Sequence, residues 1–234
     1  MQYKDPYIEL CIEGPSSVFR GLSQNEKELF DQNHTVSVFK KGRLIIQGGT
    51  KIKGLFCLVS GKAKISGTGA GNREQIIKMI KPQSLINCRS LFSDAQFPFS
   101  VEALEDCATV YFPKNFLTRI LKQNAELSLK IMKVIAEDLH HSYERIISLT
   151  QKHVRGRLAE SILLLRDMYG LDADEITLRV QVSREDLAHL SNMTTSNAIR
   201  TLSNLEAEKI IEIERRKIRI LDFSKLEEIS ESGQ

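Results

Sequence analysis

From Asn115 to Leu149 the chain carries neither proline nor glycine. A stretch of that length without the two helix breakers predicts one long helix. Going backward from Leu149, the positions Ile146, Ser142, Leu139, Ile135, Met132 and Ser128 alternate by three and four. That is a heptad seam, with serine at two of its places. A second stripe, Leu127, Ile131 and Val134, lies beside it. One stripe is satisfied by packing on the chain's own core. Two stripes predict a helix covered on two sides, by its own domain and by a second copy. A homodimer is therefore expected, with Met132, Ile135, Leu139, Ser142, Ile146 and Leu149 as its seam.

Before the helix, the chain breaks into short apolar alternations. They are Val36–Phe39, Leu44–Ile46, Leu55–Val59, Ala63–Ile65, Ile76–Ile80, Val101–Ala103 and Ala108–Phe112. Glycines punctuate them at Gly42, Gly48, Gly49, Gly61, Gly67, Gly69 and Gly71. Short strands at this spacing, separated by turn residues, predict an antiparallel roll, barrel or sandwich.

After the helix, helical spacing returns at Leu158, Ile162, Leu165 and Met168, and Gly170 closes that segment. Ile176–Val180 reads as a short strand. Ser183 with Asp186 three residues on is a capping-box pattern opening a short helix. Leu187, Ala188 and Leu190 give that helix its apolar face, and Ser191–Met193 interrupts it. Thr194 or Thr195 caps a second helix, expected to bury Ala198, Ile199, Leu202 and Leu205. Two short helices joined by a tight turn match a helix-turn-helix. The second helix offers Thr195, Ser196, Asn197, Arg200, Thr201 and Asn204 on its polar side. Arginine suits guanine O6 and N7, asparagine suits adenine N6 and N7, and threonine suits the thymine methyl. Ile210–Ile213 and Ile218–Leu221 then read as a hairpin whose tip carries Arg215, Arg216 and Lys217, in reach of a phosphate backbone. The expected DNA-binding set is Ser183, Thr194, Thr195, Ser196, Asn197, Arg200, Thr201, Asn204, Arg215, Arg216 and Lys217.

Overall charge alone does not point to nucleic acid. From Gln151 onward the chain has 13 Lys+Arg against 15 Asp+Glu, and the rest has 20 against 15. What points to nucleic acid is the placement of the cations at the hairpin tip and on the second helix. The composition, 41% hydrophobic and 27% charged, excludes a disordered chain. The amino terminus MQYKDPYIEL has charges and a proline where a signal peptide needs an apolar run, and no stretch spans a membrane. A cytoplasmic protein with no membrane partner is expected. Four scattered cysteines, Cys11, Cys57, Cys88 and Cys107, form neither a zinc pattern nor a disulfide framework. No metal site, no nucleophile–base pairing and no phosphate-binding loop is evident, so an enzyme is not expected.

The chain resembles the Crp/Fnr family of bacterial transcription regulators over about Val18 to Ile229. Three stretches carry the resemblance: Lys41–Gly48 with Leu55–Ile65, Ser183–Glu206, and Lys217–Asp222. It implies an α+β protein: a double-stranded, jelly-roll-like β-roll for effector sensing (1–114), a long dimerisation helix (115–150) and a winged helix-turn-helix (151–234). It also implies a homodimer on a roughly palindromic double-stranded DNA operator, with RNA polymerase as a further candidate partner.

The effector side departs from the family pattern. Members that bind cyclic nucleotides carry a Gly-Glu pair followed, some ten residues on, by Arg-Ser or Arg-Thr. Here those places fall on Asn87 and Cys88, then near Phe97 and Pro98, with Arg89 the nearby cation. A buried phosphodiester needs a cation or many N–H donors, so cyclic AMP is not expected. Nor is an iron–sulfur cluster, since only Cys11 lies in the amino-terminal region where oxygen-sensing members hold theirs. The expected effector pocket is Leu85, Ile86, Asn87, Cys88, Arg89, Phe97 and Phe99, with Leu91 and Phe92 beside it. It suits an apolar ligand or a haem, with Cys88, His140 or His141 as conceivable ligands. The DNA-reading positions depart too. Where members reading TGTGA-type half-sites carry Arg and Glu, this chain has Thr195 and Ser196, so a different, more A·T-rich operator is expected, anchored by Arg200. The competing readings are a ligand-sensing module that acts through protein contacts, and a haem- or redox-responsive regulator.

Overall fold

The computed structural model describes residue 3 and residues 5–232. The chain forms two compact units, residues 1–68 with 77–140, and residues 69–76 with 141–234. The long helix, set apart in the sequence as its own segment, is divided between these two units at residue 140.

The first unit is a roll of two four-stranded sheets. Its strands are β1 (Thr35–Phe39), β2 (Leu44–Ile46), β3 (Gly54–Ser60), β4 (Ala63–Thr68), β5 (Glu74–Ile80, which enters this unit from residue 77), β6 (Leu85–Ile86), β7 (Ser100–Ala103) and β8 (Cys107–Pro113). One sheet runs β1-β8-β3-β6 and the other β2-β7-β4-β5. The seven strands expected from the alternations are present, and β6 is added.

Alternation along β3 explains how the roll is filled. Leu55, Cys57 and Val59 face a core shared with helices, whereas Leu58 faces the interior between the sheets. Neighbouring residues of a strand point to opposite faces, so one sheet serves both layers. Gly61 makes the β3–β4 turn at φ +83°, and a Cβ there would meet the Asp106 carbonyl oxygen at 2.4 Å. Only glycine fits that position.

Four helices cover the outer face of the first sheet. They are α1 (Pro6–Glu13), α2 (Gln24–Gln32), α3 (Lys114–Gln123) and the first part of α4 (Ala125–Gln151). Phe19, Phe30, Phe112 and Phe116 form the centre of this layer. Phe30 stands edge-on to Phe112 and Phe116, with ring centroids 5.0 Å apart in both pairs, worth about 0.5–1.5 kcal/mol per pair beyond area burial.

The long helix differs from its expectation in two respects. It is broken at Asn124, whose side-chain oxygen accepts from the Leu127 amide at 2.8 Å and starts α4 afresh. Its exposed apolar stripe is also shifted. Leu127 and Ile131 are buried in the core, with Val134 and Ile135 packed against it. Leu129, Met132, Leu139, Tyr143 and Ile146 are each more than half exposed. With Ala136 they repeat by three and four on one face. Of the expected seam, Met132, Leu139 and Ile146 lie on this stripe. Ser142 is exposed, Ile135 is only partly so, and Leu149 is half-buried.

The second unit contains α5 (Val154–Tyr169), α6 (Arg184–Leu190), α7 (Thr195–Ala207), the hairpin β9 (Ile211–Glu214) and β10 (Lys217–Ile220), and α8 (Phe223–Ser232). The strand expected at Ile176–Val180 is not formed. That segment is a loop with single bridges, Leu171 to Leu178 and Thr177 to Arg219. It docks on β10 through Leu178 N donating to Ile218 O at 2.9 Å and Ile220 N to Ile176 O at 2.8 Å. Glu160 of α5 receives Arg145 at 3.3 Å and Lys152 at 3.0 Å, which ties α5 to the end of α4. Among the described residues, no helix is long and apolar enough to cross a membrane.

Candidate nucleic-acid interface and effector region

Side-chain caps set both helices of the helix-turn-helix. Ser183 Oγ accepts from the Asp186 amide at 2.9 Å, and Asp186 Oδ2 accepts from the Ser183 amide at 3.2 Å. This reciprocal cap fixes where α6 starts. Ser183 is therefore occupied as a cap. Leu187, Ala188 and Leu190 are buried as expected. The turn passes through Asn192 at φ +50°, and Met193 tucks into the core. Thr194 Oγ1 then accepts from the Asn197 amide at 3.3 Å and opens α7.

The packing of α7 corrects two assignments. Ala198, Thr201, Leu202 and Leu205 are buried, while Ile199 is 49% exposed. The sequence reading puts Thr201 on the DNA-facing side and Ile199 inside. Position 201 lies three residues after Ala198 and four before Leu205, so it shares their face. Ile199 is turned about 100° from Ala198 around the helix. The outward stripe is Thr195, Ser196, Ile199, Arg200, Ser203 and Asn204. The segment Thr195–Asn204 contains no acidic residue. Arg200 Nη2 donates to Asn197 Oδ1 at 2.9 Å. Asn197 thus positions Arg200, and its carbonyl is engaged by that contact rather than left for adenine.

The wing brings further cations to the same unit. Glu214 pairs with Lys217 across the hairpin, so Arg215 and Arg216 form a two-residue turn. Arg215 takes φ +56°, a left-handed conformation that costs a non-glycine residue about 1–3 kcal/mol. Arg184, at the first turn of α6, donates to the Arg215 carbonyl. Arg184, Arg215, Arg216 and Lys217 are thereby gathered at one end of this unit. Sequence reasoning misses Arg184. The available signal is a cation directly after a helix cap, where the helix dipole favours an anion. Two charge-assisted bonds of 2.7 Å from Arg155 to Glu208 brace the carboxyl end of α7. Ser161 and Ser191 hydroxyls meet at 2.9 Å in the core.

The effector-region residues do not gather around one cavity. Leu85, Cys88 and Leu91 belong to the helix-facing core, while Ile86 and Phe97 belong to the interior of the roll, with Phe99 packed beside them. Leu85 and Ile86 are neighbours on a strand and must point to opposite sides. Phe92 is 60% exposed rather than pocket-lining. Asn87 sits at φ +67°, the left-handed conformation that a glycine would adopt without cost. The next residue, Cys88, is a buried thiol. Arg89 is exposed and donates to the Gln96 carbonyl at 3.1 Å.

All four cysteines are free and buried. Burial pushes the Cys88 thiol up to about 12. Burial and a contact with the Cys57 thiol raise Cys11 as well. His140 and His141 are exposed on α4, and His141 meets Glu144 at 3.1 Å. These residues do not fit a haem. Among the described residues, no group of three or more His, Cys, Asp or Glu is arranged to hold a metal ion.

Comparison with known proteins matches both units. Residues 36–124 match the cyclic nucleotide-binding domain, and residues 156–229 match the Crp-like helix-turn-helix domain. A CRP-like cAMP-activated global transcriptional regulator of Mycobacterium tuberculosis is 19% identical, over 90% of this chain and 95% of its own. The anaerobic regulatory protein of Bacillus subtilis is 22% identical, over 82% of each chain. Among solved structures, FixK2 from Bradyrhizobium japonicum superposes with a TM-score of 0.74 at 18% identity, covering 83% of this chain and 96% of that one. A CRP/FNR-family regulator from Thermus thermophilus gives 0.72 at 19% identity, covering 86% of this chain and all of that one (100%). At these identities the structural likeness speaks for the fold.

Proposed function

Because the chain belongs to the Crp/Fnr family of transcriptional regulators, which are DNA-binding proteins and not enzymes, we propose that it works as a homodimer on a roughly palindromic operator, under an effector other than cyclic AMP. The observation that carries the DNA part is the outward stripe of α7, polar except for Ile199, free of acid and led by Arg200. The wing cations Arg215, Arg216 and Lys217 add phosphate contacts that hold the register.

The dimer rests on the exposed stripe of α4. Leu129, Met132, Leu139, Tyr143 and Ile146 lie on one face with heptad spacing, and each is more than half exposed. A second copy supplies the same stripe, and a two-fold pairing is self-complementary. The paired helix then holds two copies of α7 so that they enter successive major grooves, about 34 Å apart. Occupied operator acts on transcription through RNA polymerase, and duplex DNA as ligand supports a cytoplasmic site of action.

For the effector, the cassette stretch supports a ligand without a phosphodiester. Such a ligand shifts the protein toward its DNA-competent state only by binding that state more tightly.

Arg200→Ala tests the reading. Operator affinity falls by about 1–3 kcal/mol, or roughly 5- to 150-fold, while sedimentation still shows the dimer. Binding of the unaltered protein weakens steeply with salt. Unchanged affinity in the variant overturns the assignment of α7.

A further inference from the structure

Ile199 stands out on the reading face. It is 49% exposed on α7, although a large apolar side chain on a soluble helix usually turns inward. Its neighbours on the exposed side are Thr195 and Ser196 one turn before, Arg200 next to it, and Ser203 one turn after. A single exposed isoleucine is ordinary by itself. This one lies within a stripe of hydrogen-bonding side chains, with Thr195 and Arg200 close to it on the helix surface.

That pattern separates two kinds of partner. A protein partner is met by a contiguous apolar patch, and α7 has none. The major-groove edge of a base pair places one methyl group, that of thymine, among donors and acceptors. A lone apolar side chain flanked by hydroxyls and a guanidinium is complementary to such an edge. The segment's lack of acid and the wing cations suit the surrounding phosphates.

We infer that Ile199 reads the C5-methyl group of a thymine in each half-site of the operator. This rests on α7 being the reading helix. Isoleucine is suited to the task because a β-branched side chain in a helix holds one χ1 rotamer, so binding removes little of its freedom. Arg200 is also held in advance, by its 2.9 Å bond to Asn197. Consecutive residues rise 1.5 Å along a helix, against 3.4 Å per base pair. The thymine read by Ile199 and the base or phosphate met by Arg200 therefore lie within about two base pairs of each other. The specificity assigned to arginine and asparagine alone becomes a mixed one, with apolar readout beside polar anchoring.

The experiment uses the full-length chain. Duplexes are enriched from a random-sequence pool with the unaltered protein, and the consensus is resynthesised with each thymine replaced singly by uracil. Uracil keeps the pairing edge and lacks only the methyl group. Dissociation constants are measured by fluorescence anisotropy for the unaltered protein, Ile199→Val and Ile199→Ser. One thymine per half-site is expected to matter, its replacement weakening binding about fourfold, the worth of one buried methyl group. Ile199→Val keeps that sensitivity. Ile199→Ser binds the thymine operator more weakly and no longer distinguishes it from the uracil one. The side chain is exposed, so thermal unfolding of both variants should match the unaltered protein. If uracil is tolerated everywhere, or Ile199→Ser keeps the full methyl effect, the inference is overturned. If no duplex is enriched at all, the failure lies earlier, in the reading of α7 as a DNA-binding helix, and the inference falls with it.

Discussion

The stretch from Leu85 to Phe99 and the helix α7 place their chemistry in opposite ways. The first keeps a backbone shape, with Asn87 in a glycine-like conformation, and turns its thiol and most of its apolar groups into two cores. The second buries only Ala198, Thr201, Leu202 and Leu205 and holds most of its other polar groups outward. The fold thus survives at both ends of this molecule, and an outward-facing polar surface is found at one. The difference teaches that the side chains of one stretch can change while the sheets that carry it stay the same. Packing constrains backbone and volume, while a charged ligand depends on a few particular side chains.

Cyclic AMP is the strongest challenge to that contrast. A buried phosphodiester without its guanidinium lacks a charge-assisted partner whose removal typically costs about 2–5 kcal/mol, or roughly 30- to 5,000-fold in affinity. Isothermal titration is expected to show no saturable heat at micromolar cyclic AMP, and a melting curve no shift. Micromolar binding would mean that the cassette has kept its chemistry by another route, and the contrast would break.

The long helix α4 carries the same contrast on its two faces. Ile131 is fully buried and Leu139 is 51% exposed. Leu139→Glu should leave the fold intact, turn the proposed dimer into monomers by sedimentation, and weaken operator binding by roughly a hundredfold as bivalency disappears. Ile131→Glu places an unpaired charge in the core and should instead unfold the first unit. If Leu139→Glu stays dimeric, another surface pairs the copies and the exposed face of α4 has a different purpose.

Much of the molecule is legible from sequence, and the exceptions have physical causes. The seven strands follow from alternation and glycine spacing, and the helix-turn-helix from two caps. The helices α1 and α2 escape that reading although Asp5-Pro6 and the pair Ser23 and Glu26 are cap signals. Both helices are too short to establish a period, and α2 has few apolar residues besides Leu29 and Phe30. The strand expected at Ile176–Val180 has the right residue types. Its amide and carbonyl groups are satisfied instead by single contacts to β10 and the loop itself. Ile199 and Thr201 exchange places because residue type outweighs helical phase in a sequence reading. Ala198, Leu202 and Leu205 already define the buried face, and it includes 201. The seam on α4 is displaced toward Ser128 and Ile135 because the count starts from Leu149, which is itself half-buried, whereas Leu129 and Tyr143 carry the exposed face. The effector pocket is the least legible part, since neighbouring apolar residues on β6 serve two different cores.

At the wing, the contrast between positioning and reading can be sharpened. Arg216 lies at the hairpin tip and is exposed. If it meets phosphate, Arg216→Ala should weaken binding by a similar few-fold factor on every duplex and lower the salt slope by about one. Arg200→Ala should do the reverse, acting mainly on the best sequence. A sequence-dependent effect of Arg216 would make the wing a reader.

The smallest effect concerns how the wing is held. Asp174 accepts from Thr177 Oγ1 at 2.6 Å, from the Thr177 amide at 2.9 Å and from the Ile176 amide at 3.2 Å. Those bonds, with the Thr177 hydroxyl foremost, hold the carboxyl down from 3.8 to about 2. The same loop supplies the two backbone bonds that dock it on β10. Because the pKa is lower in the folded state, the stabilisation is present above about pH 4 and fades as pH falls from about 4 to about 2. Asp174→Asn keeps an acceptor oxygen and removes the titration. The stability difference between the unaltered protein and Asp174→Asn, followed by denaturant unfolding, should therefore shrink across that window and stay constant above it. A difference that does not change with pH would show that the Asp174 charge contributes nothing to seating the wing.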